Sequence, residues 1–367
     1  MPIEALFSPY IQELEPYEAP DWPGLAATAG LRPEELVRLD ANESPYGPLP
    51  AARHALARVD GYRLYPDYST LEAAVARYAG VEPERVVLTN GGDEAIDLAI
   101  RLFVSPGEAA IICPPAFGSY RASIRAHRGQ VLRVPRKDDF SLDVPAIEAL
   151  LEEHGSQARP KLLFVTSPGN PDGQPIPLEA VRRLLALPLA VVVDQAYVEF
   201  GGPSATPLLA DYDNLLILRS FSKWAGLAGL RLGYLLAAPT VAAALGRLRQ
   251  PYSINAAVVA AAQATLQDMP AARQRIATIV AERERLCQAL AALPGIQPLP
   301  GGANFLFCRL EGCSGPELAQ ALAAQGILIR SFSDPRLTDY VRISVGRSEQ
   351  NQVLLQALWE LRWRESG

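Results

Sequence analysis

Only three of the 34 lysine and arginine residues in this 367-residue chain are lysines: Lys137, Lys161 and Lys223. An unprotonated lysine amine attacks carbonyl carbons, so each is a candidate for covalent chemistry. Lys137 falls in the polar stretch RKDD, and Lys161 follows Pro160 ahead of an apolar run, so both read as solvated. Lys223 follows Ser220-Phe221-Ser222 at the end of the apolar run NLLILR (214–219), with Arg231 eight residues further on. Three other apolar runs also end in residues with chemistry. RVVLT (85–89) leads into Asn90-Gly91-Gly92-Asp93 and a helical pattern. Paired glycines allow close backbone approach, and a helix start offers N–H groups to a phosphate. Taken alone, this is equally an ordinary turn with Asp93 as the cap. KLLFVT (161–166) leads into a turn, residues 167–173, holding Asn170. LAVVV (189–193) leads into Asp194, with Tyr197 three residues later. A carboxylate ending a wholly apolar run is costly unless it faces a positive charge.

Pyridoxal phosphate needs all four kinds of group. Its aldehyde takes a lysine amine, and its ring nitrogen needs a carboxylate to stay protonated. Its ring oxygen accepts hydrogen bonds from an amide and a phenol. Its phosphate suits backbone N–H groups, hydroxyls and an arginine. Each piece is weak evidence alone; the ordered set is specific.

These groups must be held by a frame, and the chain's patterning supplies one. The four runs, with AAIIC (109–113), are apolar and separated by helical patterns such as DEAIDLAIRLF (93–103). Such alternation predicts a mostly parallel sheet buried on both faces, which binds ligands beyond the carboxyl ends of its strands. Ser69 and Glu72 read as a capping box for a helix stopped by Gly80. Two Ala-rich helices (about 255–268 and 271–292), a helix near 315–325 and the runs NFLFCRL, GILIR and YVRISV predict a smaller α+β domain. The expected division is an arm at 1–40, which reads as extended, a large domain at 41–255 and a small one at 256–367.

Composition excludes other classes. A net charge of −6 argues against nucleic acid or an anionic membrane as partner. The four cysteines form no CxxC pair, and the three histidines are isolated, so no metal site is expected. The opening residues have no basic, apolar signal pattern, and a cytoplasmic protein is expected.

The chain resembles the fold-type I, class II pyridoxal-phosphate aminotransferases, within them the histidinol-phosphate group. LEPY (14–17), LDANESPYGP (39–48), YPD (65–67), NGGDE (90–94), CPPAFGSY (113–120), SPGNPDG (167–173), VVDQAYVEF (192–200), LRSFSKWAGLAGLRLGY (218–234), ILIR (327–330) and VRISVG (341–346) carry the resemblance, almost end to end. The resemblance implies that Lys223 forms the Schiff base and shuttles a proton. Asp194 pairs with the ring nitrogen, Asn170 and Tyr197 hold the ring oxygen, and Phe117 stacks on the ring. Gly92, Asp93, Ser220, Ser222 and Arg231 bind the phosphate, with Tyr65 reaching in from a partner subunit of a homodimer. Arg330 and Arg342 grip the substrate anion, with Tyr17 and Asn42 nearby. The implied reaction moves an amino group from histidinol phosphate to 2-oxoglutarate. An aromatic amino-acid aminotransferase and a phosphothreonine decarboxylase are the alternatives, the latter kept open by PYSINAAV (251–258). The chain departs from the family pattern at Gly169 and Asp172, where Asn and Thr are usual, at Phe117, where Tyr is common, and at Gln195, where Glu is common.

Overall fold

The computed structural model describes residues 1–14, 21–154 and 160–361. Twelve strands lie among them: β1 Val37–Leu39, β2 Val86–Thr89, β3 Ala109–Ile112, β4 Gln130–Arg133, β5 Leu162–Thr166, β6 Ala190–Asp194, β7 Leu215–Ser220, β8 Gly233–Leu236, β9 Ile296–Leu299, β10 Phe305–Leu310, β11 Ile327–Ile329 and β12 Tyr340–Ser344. Seven form one sheet in the order β2-β8-β7-β6-β5-β3-β4. Pairings are parallel except those of β8, which runs antiparallel to both β2 and β7.

The apolar runs are continuous because both sheet faces are buried. Successive side chains alternate between two cores. Leu163, Val165, Val191, Val193, Leu215 and Ile217 enter one. Leu162, Phe164, Ala190, Val192, Leu216 and Leu218 enter the other. Burying each such leucine or valine contributes about 1.5–3 kcal/mol before entropy is counted. The helix Gly91–Phe103 turns Ala95, Ile96, Ala99 and Ile100 onto the second core, so its N-terminus stays at the carboxyl edge of the sheet.

A second layer is built from β12-β10-β9, all antiparallel, under helices Met269–Ala291, Gly315–Ala323 and Ser348–Glu360. Leu286, Leu290, Leu318, Leu322, Leu354 and Leu358 close its core. β1 pairs in parallel with β11. Among the described residues no helix is long and apolar enough to cross a membrane.

Several local expectations are corrected. Ser69 does not cap its helix: it is the first helical residue of Ser69–Ala79, and its N–H is taken by the Asp67 carboxylate at 2.9 Å. Gly80 does end that helix, at φ +72°. The N-terminal stretch is not extended throughout. Asp21 caps a helix at Trp22–Thr28, which packs Ala26 against Leu36 and Leu328. Asp194 is the last residue of β6 rather than the first beyond it.

Candidate active site

The register of the parallel strands brings Thr166 beside Asp194, and Asp194 beside Leu218, at one edge of the sheet. Asp194 is 5 % exposed. Its Oδ2 accepts from the Tyr120 hydroxyl at 2.6 Å and its Oδ1 from the Ala196 N–H at 3.0 Å. Tyr120 Oη in turn lies 2.9 Å from Thr166 Oγ1. Burial pushes the Asp194 carboxyl up, while the Tyr120 and Ala196 hydrogen bonds pull it back; the nearby Asp93 charge adds to the rise and Lys223 opposes it. No ion pair among the described residues offsets the burial. A buried carboxylate held in this way suits a cationic group placed against it.

Lys223 is half-buried, and its Nζ donates to the Ala41 carbonyl at 3.1 Å. The same Nζ lies 5.8 Å from the centre of the Tyr197 ring. Tyr197 is buried, and its hydroxyl accepts from Asn42 Nδ2 at 3.1 Å. Asn42 adopts φ +54° and is fixed from three sides. Its N–H and its Oδ1 both meet the Ser344 hydroxyl, at 2.8 and 3.1 Å, and its carbonyl accepts from Asn304 Nδ2 at 3.0 Å. Residues far apart in sequence therefore converge above Lys223.

A cradle forms where the Lys223 loop returns into β8. Gly91 has φ +76°, and a Cβ there would lie 2.3 Å from Arg231 Nη2. A Cβ on Gly233 would lie 2.7 Å from the Gly91 carbonyl carbon. Only glycines allow this approach. Arg231 Nη2 is 2.9 Å from Asp93 Oδ2, and the Ser222 N–H donates to Ser220 Oγ at 3.1 Å. Gly92, Asp93, Ser220, Ser222 and Arg231 thus gather at one helix start with N–H groups, two hydroxyls and a guanidinium. That set fits a phosphate.

Arg342, 8 % exposed, reaches across from β12. Its Nη1 donates to Asn170 Oδ1 at 2.6 Å and its Nη2 to the Asp40 carbonyl at 2.5 Å. Arg330 is exposed and sits beside it, each backbone N–H bonding the other's carbonyl. The Arg342 guanidinium therefore borders the Asn170 amide, with Arg330 paired to Arg342 through the backbone. Phe117 is half-buried, edge-on to Tyr120 with ring centres 5.7 Å apart. Tyr65 is not part of this cluster: it is 77 % exposed and stacks on Tyr252 at 4.2 Å. Tyr17 lies outside the described residues.

Sequence patterning missed Tyr120, Thr166, Ser344 and Asn304, all of which orient expected site residues. Tyr120 had one usable signal, a tyrosine three residues after Phe117 in a helical stretch. Ser344 and Asn304 had none, because their link to Asn42 spans some 300 and 262 residues.

Comparisons with known proteins place the chain in a family. The family model described as aminotransferase class I and II matches residues 34–358. A protein named histidinol-phosphate aminotransferase from Roseiflexus castenholzii is 45% identical over 372 residues, 98% of this chain and 99% of that one. The crystal structure of histidinol-phosphate aminotransferase from Sinorhizobium meliloti in complex with pyridoxal-5'-phosphate matches with TM-score 0.84 and 29% identity, covering 97% of this chain and 98% of that one. L-threonine-O-3-phosphate decarboxylase from Porphyromonas gingivalis matches with TM-score 0.75 and 26% identity, covering 89% and 99%.

Proposed function

The chain belongs to the aminotransferase class I and II family, and from that premise we propose a pyridoxal-phosphate-dependent transfer of the amino group of histidinol phosphate to 2-oxoglutarate, a step of histidine biosynthesis. The observation that carries the cofactor is the buried Asp194 carboxyl, lifted by burial and in no ion pair among the described residues, at the end of the strand next to the one that leads to the half-buried Lys223. The match to the Roseiflexus protein, over nearly the whole of both chains, supports the amino donor.

The residues present fit the cofactor. Asp194 would hold the ring nitrogen protonated, and Asn170 and Tyr197 would face the ring oxygen. Phe117 would cover one ring face. Gly92, Asp93, Ser220, Ser222 and Arg231 would take the phosphate. When bound, the cofactor supplies an aldehyde carbon and an electron-withdrawing ring that lets an amino group be lifted from one substrate and given to the other.

The chain's own groups do the rest. Lys223 would hold the cofactor through Nζ and, when that amine is free, would accept at Nζ the proton that leaves the donor's α-carbon. Tyr197, bonded by Asn42, crowds the Lys223 amine on one side. Arg342 and Arg330 take the donor's phosphate in one half of the cycle and a carboxylate of the 2-oxo acid in the other. A guanidinium fork binds either anion in two-point fashion.

The division into arm, large domain and small domain at residues 40/41 and 255/256 is part of the same reading. So is a homodimer. The exposed Tyr62, Leu64, Tyr65 and Tyr252 support one, as an apolar patch that a second copy would cover. A cytoplasmic setting fits the four free cysteines.

The test is a half-reaction screen. Cofactor-loaded protein is mixed in turn with histidinol phosphate, phenylalanine, tyrosine and phosphothreonine, and the loss of the cofactor's visible absorbance is timed. Histidinol phosphate reacts fastest if the proposal holds. A faster aromatic amino acid replaces it with the aromatic reading. Carbon dioxide release from phosphothreonine without any 2-oxo acid replaces it with a decarboxylase.

A further inference from the structure

Arg136 and Asp172 form an ion pair sealed beneath the site. Arg136 Nη1 lies 3.0 Å from Asp172 Oδ2, and the two side chains are 3 % and 0 % exposed. Burial pushes the Asp172 carboxyl up, and the Arg136 charge and the Gln174 N–H pull it back. Sealing two charges in this way is weak support for stability, since an apolar pair of similar size does as well or better. The bonds that surround the pair point instead to a geometric role.

That role is visible in the other bonds of the guanidinium. Nη1 also donates to the Phe140 carbonyl at 3.3 Å, and Nη2 donates to the Thr166 carbonyl at 3.3 Å. The Arg136 N–H donates to the Pro114 carbonyl at 2.8 Å. Arg136 therefore ties together the segment leading to Phe117, the end of β5 and, through Asp172, the turn that carries Asn170. The carboxylate locks that turn from below. Asp172 Oδ1 accepts from the Gln174 N–H at 2.7 Å and fills the space a Cβ on Gly169 would need, 2.4 Å away. Arg336, six residues beyond Arg330, donates from Nη2 to the Arg136 carbonyl at 3.0 Å.

We propose that the Arg136–Asp172 pair positions Asn170, so that its Oδ1 holds Arg342 for the substrate anion while its amide N–H groups face the cofactor ring oxygen. Arg136 and Asp172 touch neither substrate nor cofactor; they act through the turn at 167–173. The proposal rests on the reading of Asn170 and Arg342 given above.

Two variants test it beside the unaltered protein, each loaded with pyridoxal phosphate. Asp172→Asn keeps shape and removes the charge. The double variant Arg136→Met with Asp172→Leu replaces the pair by apolar side chains. Three quantities are measured: KM and kcat for the amino donor, the midpoint pH of the cofactor's visible absorbance change, and the melting temperature.

Both variants should raise KM by about tenfold, the loss of roughly one charge-assisted hydrogen bond, and lower kcat by less. Both should move the absorbance midpoint upward, because a ring oxygen without its amide donor holds the shared proton more tightly. The double variant should recover the melting temperature of the unaltered protein while KM and midpoint stay shifted. If instead it restores all three, the pair only packs and the proposal is overturned. If Asp172→Asn lowers the melting temperature with KM and midpoint unmoved, it is overturned as well. If unaltered protein neither binds the cofactor nor turns over, the underlying functional reading fails, a result distinct from either outcome.

Discussion

The Tyr120 hydroxyl donates to Asp194 Oδ2 at 2.6 Å, and no ion pair among the described residues shares that carboxylate. Tyr120 is wholly buried, and its own hydroxyl is pushed well above its ordinary value, first by burial and then by the Asp194 charge. It therefore acts as a fixed donor and does not compete for the proton. In Tyr120→Phe, Asp194 loses the larger of the two bonds that favour its charged form and rises further. Pairing with a protonated ring nitrogen weakens, and cofactor affinity should fall about tenfold, as expected for one hydrogen bond to a charged group. Titrating cofactor into the two apoproteins by fluorescence quenching checks this; equal affinities would show that Tyr120 does not support the carboxylate.

Asp194 also imposes a pH dependence on the cofactor-free chain. Its folded value is raised, so its contribution to stability is full below the ordinary carboxylate range, near pH 4. That contribution is lost as pH rises through the folded value. In Asp194→Asn the contribution is constant. The melting temperature of the variant, minus that of the unaltered apoprotein, should therefore grow with pH above about 4. A difference that stays flat across the range contradicts the assignment.

Lys223→Ala should lower turnover by at least about 10²-fold, the usual contribution of a positioned proton-transfer group alone. Borohydride reduction of the cofactor-loaded protein followed by peptide mass analysis should add cofactor mass to the peptide holding Lys223 and to nothing in the variant. Mass found on Lys137 or Lys161 would relocate the chemistry.

The cradle predicts a steric penalty. Gly233→Ala drives a Cβ into the Gly91 carbonyl, which is backbone and cannot swing aside. A cost of about 1–3 kcal/mol is expected, together with weakened phosphate binding. The readout is the concentration of inorganic phosphate that protects the apoprotein from heat: it should rise in the variant, and an unshifted value refutes the cradle.

Some of this was legible in the residues. Runs such as LAVVV and NLLILR are apolar without alternation, and such runs occur where both faces are covered, so the sheet could be read. Lys223 and Asp194 stood out because a lysine is rare here and a carboxylate ending an apolar run is costly. β8 escaped notice because GYLL is four residues long and its antiparallel direction has no sequence mark. Tyr120 was hidden because a buried tyrosine is ordinary until its partner is known. Arg136 and Asp172 lay 36 residues apart with charges that looked solvated, and the only trace of their pairing was the departure of the turn at Gly169 and Asp172.

The direction of β8 has one further consequence. Ser220 and Gly233 face each other across β7 and β8, and Gly233 abuts Gly91. The twelve residues between Ser220 and Gly233 are thus a closed span fixed at both feet, with Lys223 near one and Arg231 near the other. The span works as a ruler: its residue count sets how far the reactive amine stands from the anchoring guanidinium. Inserting or deleting a single residue within it would put the two out of step.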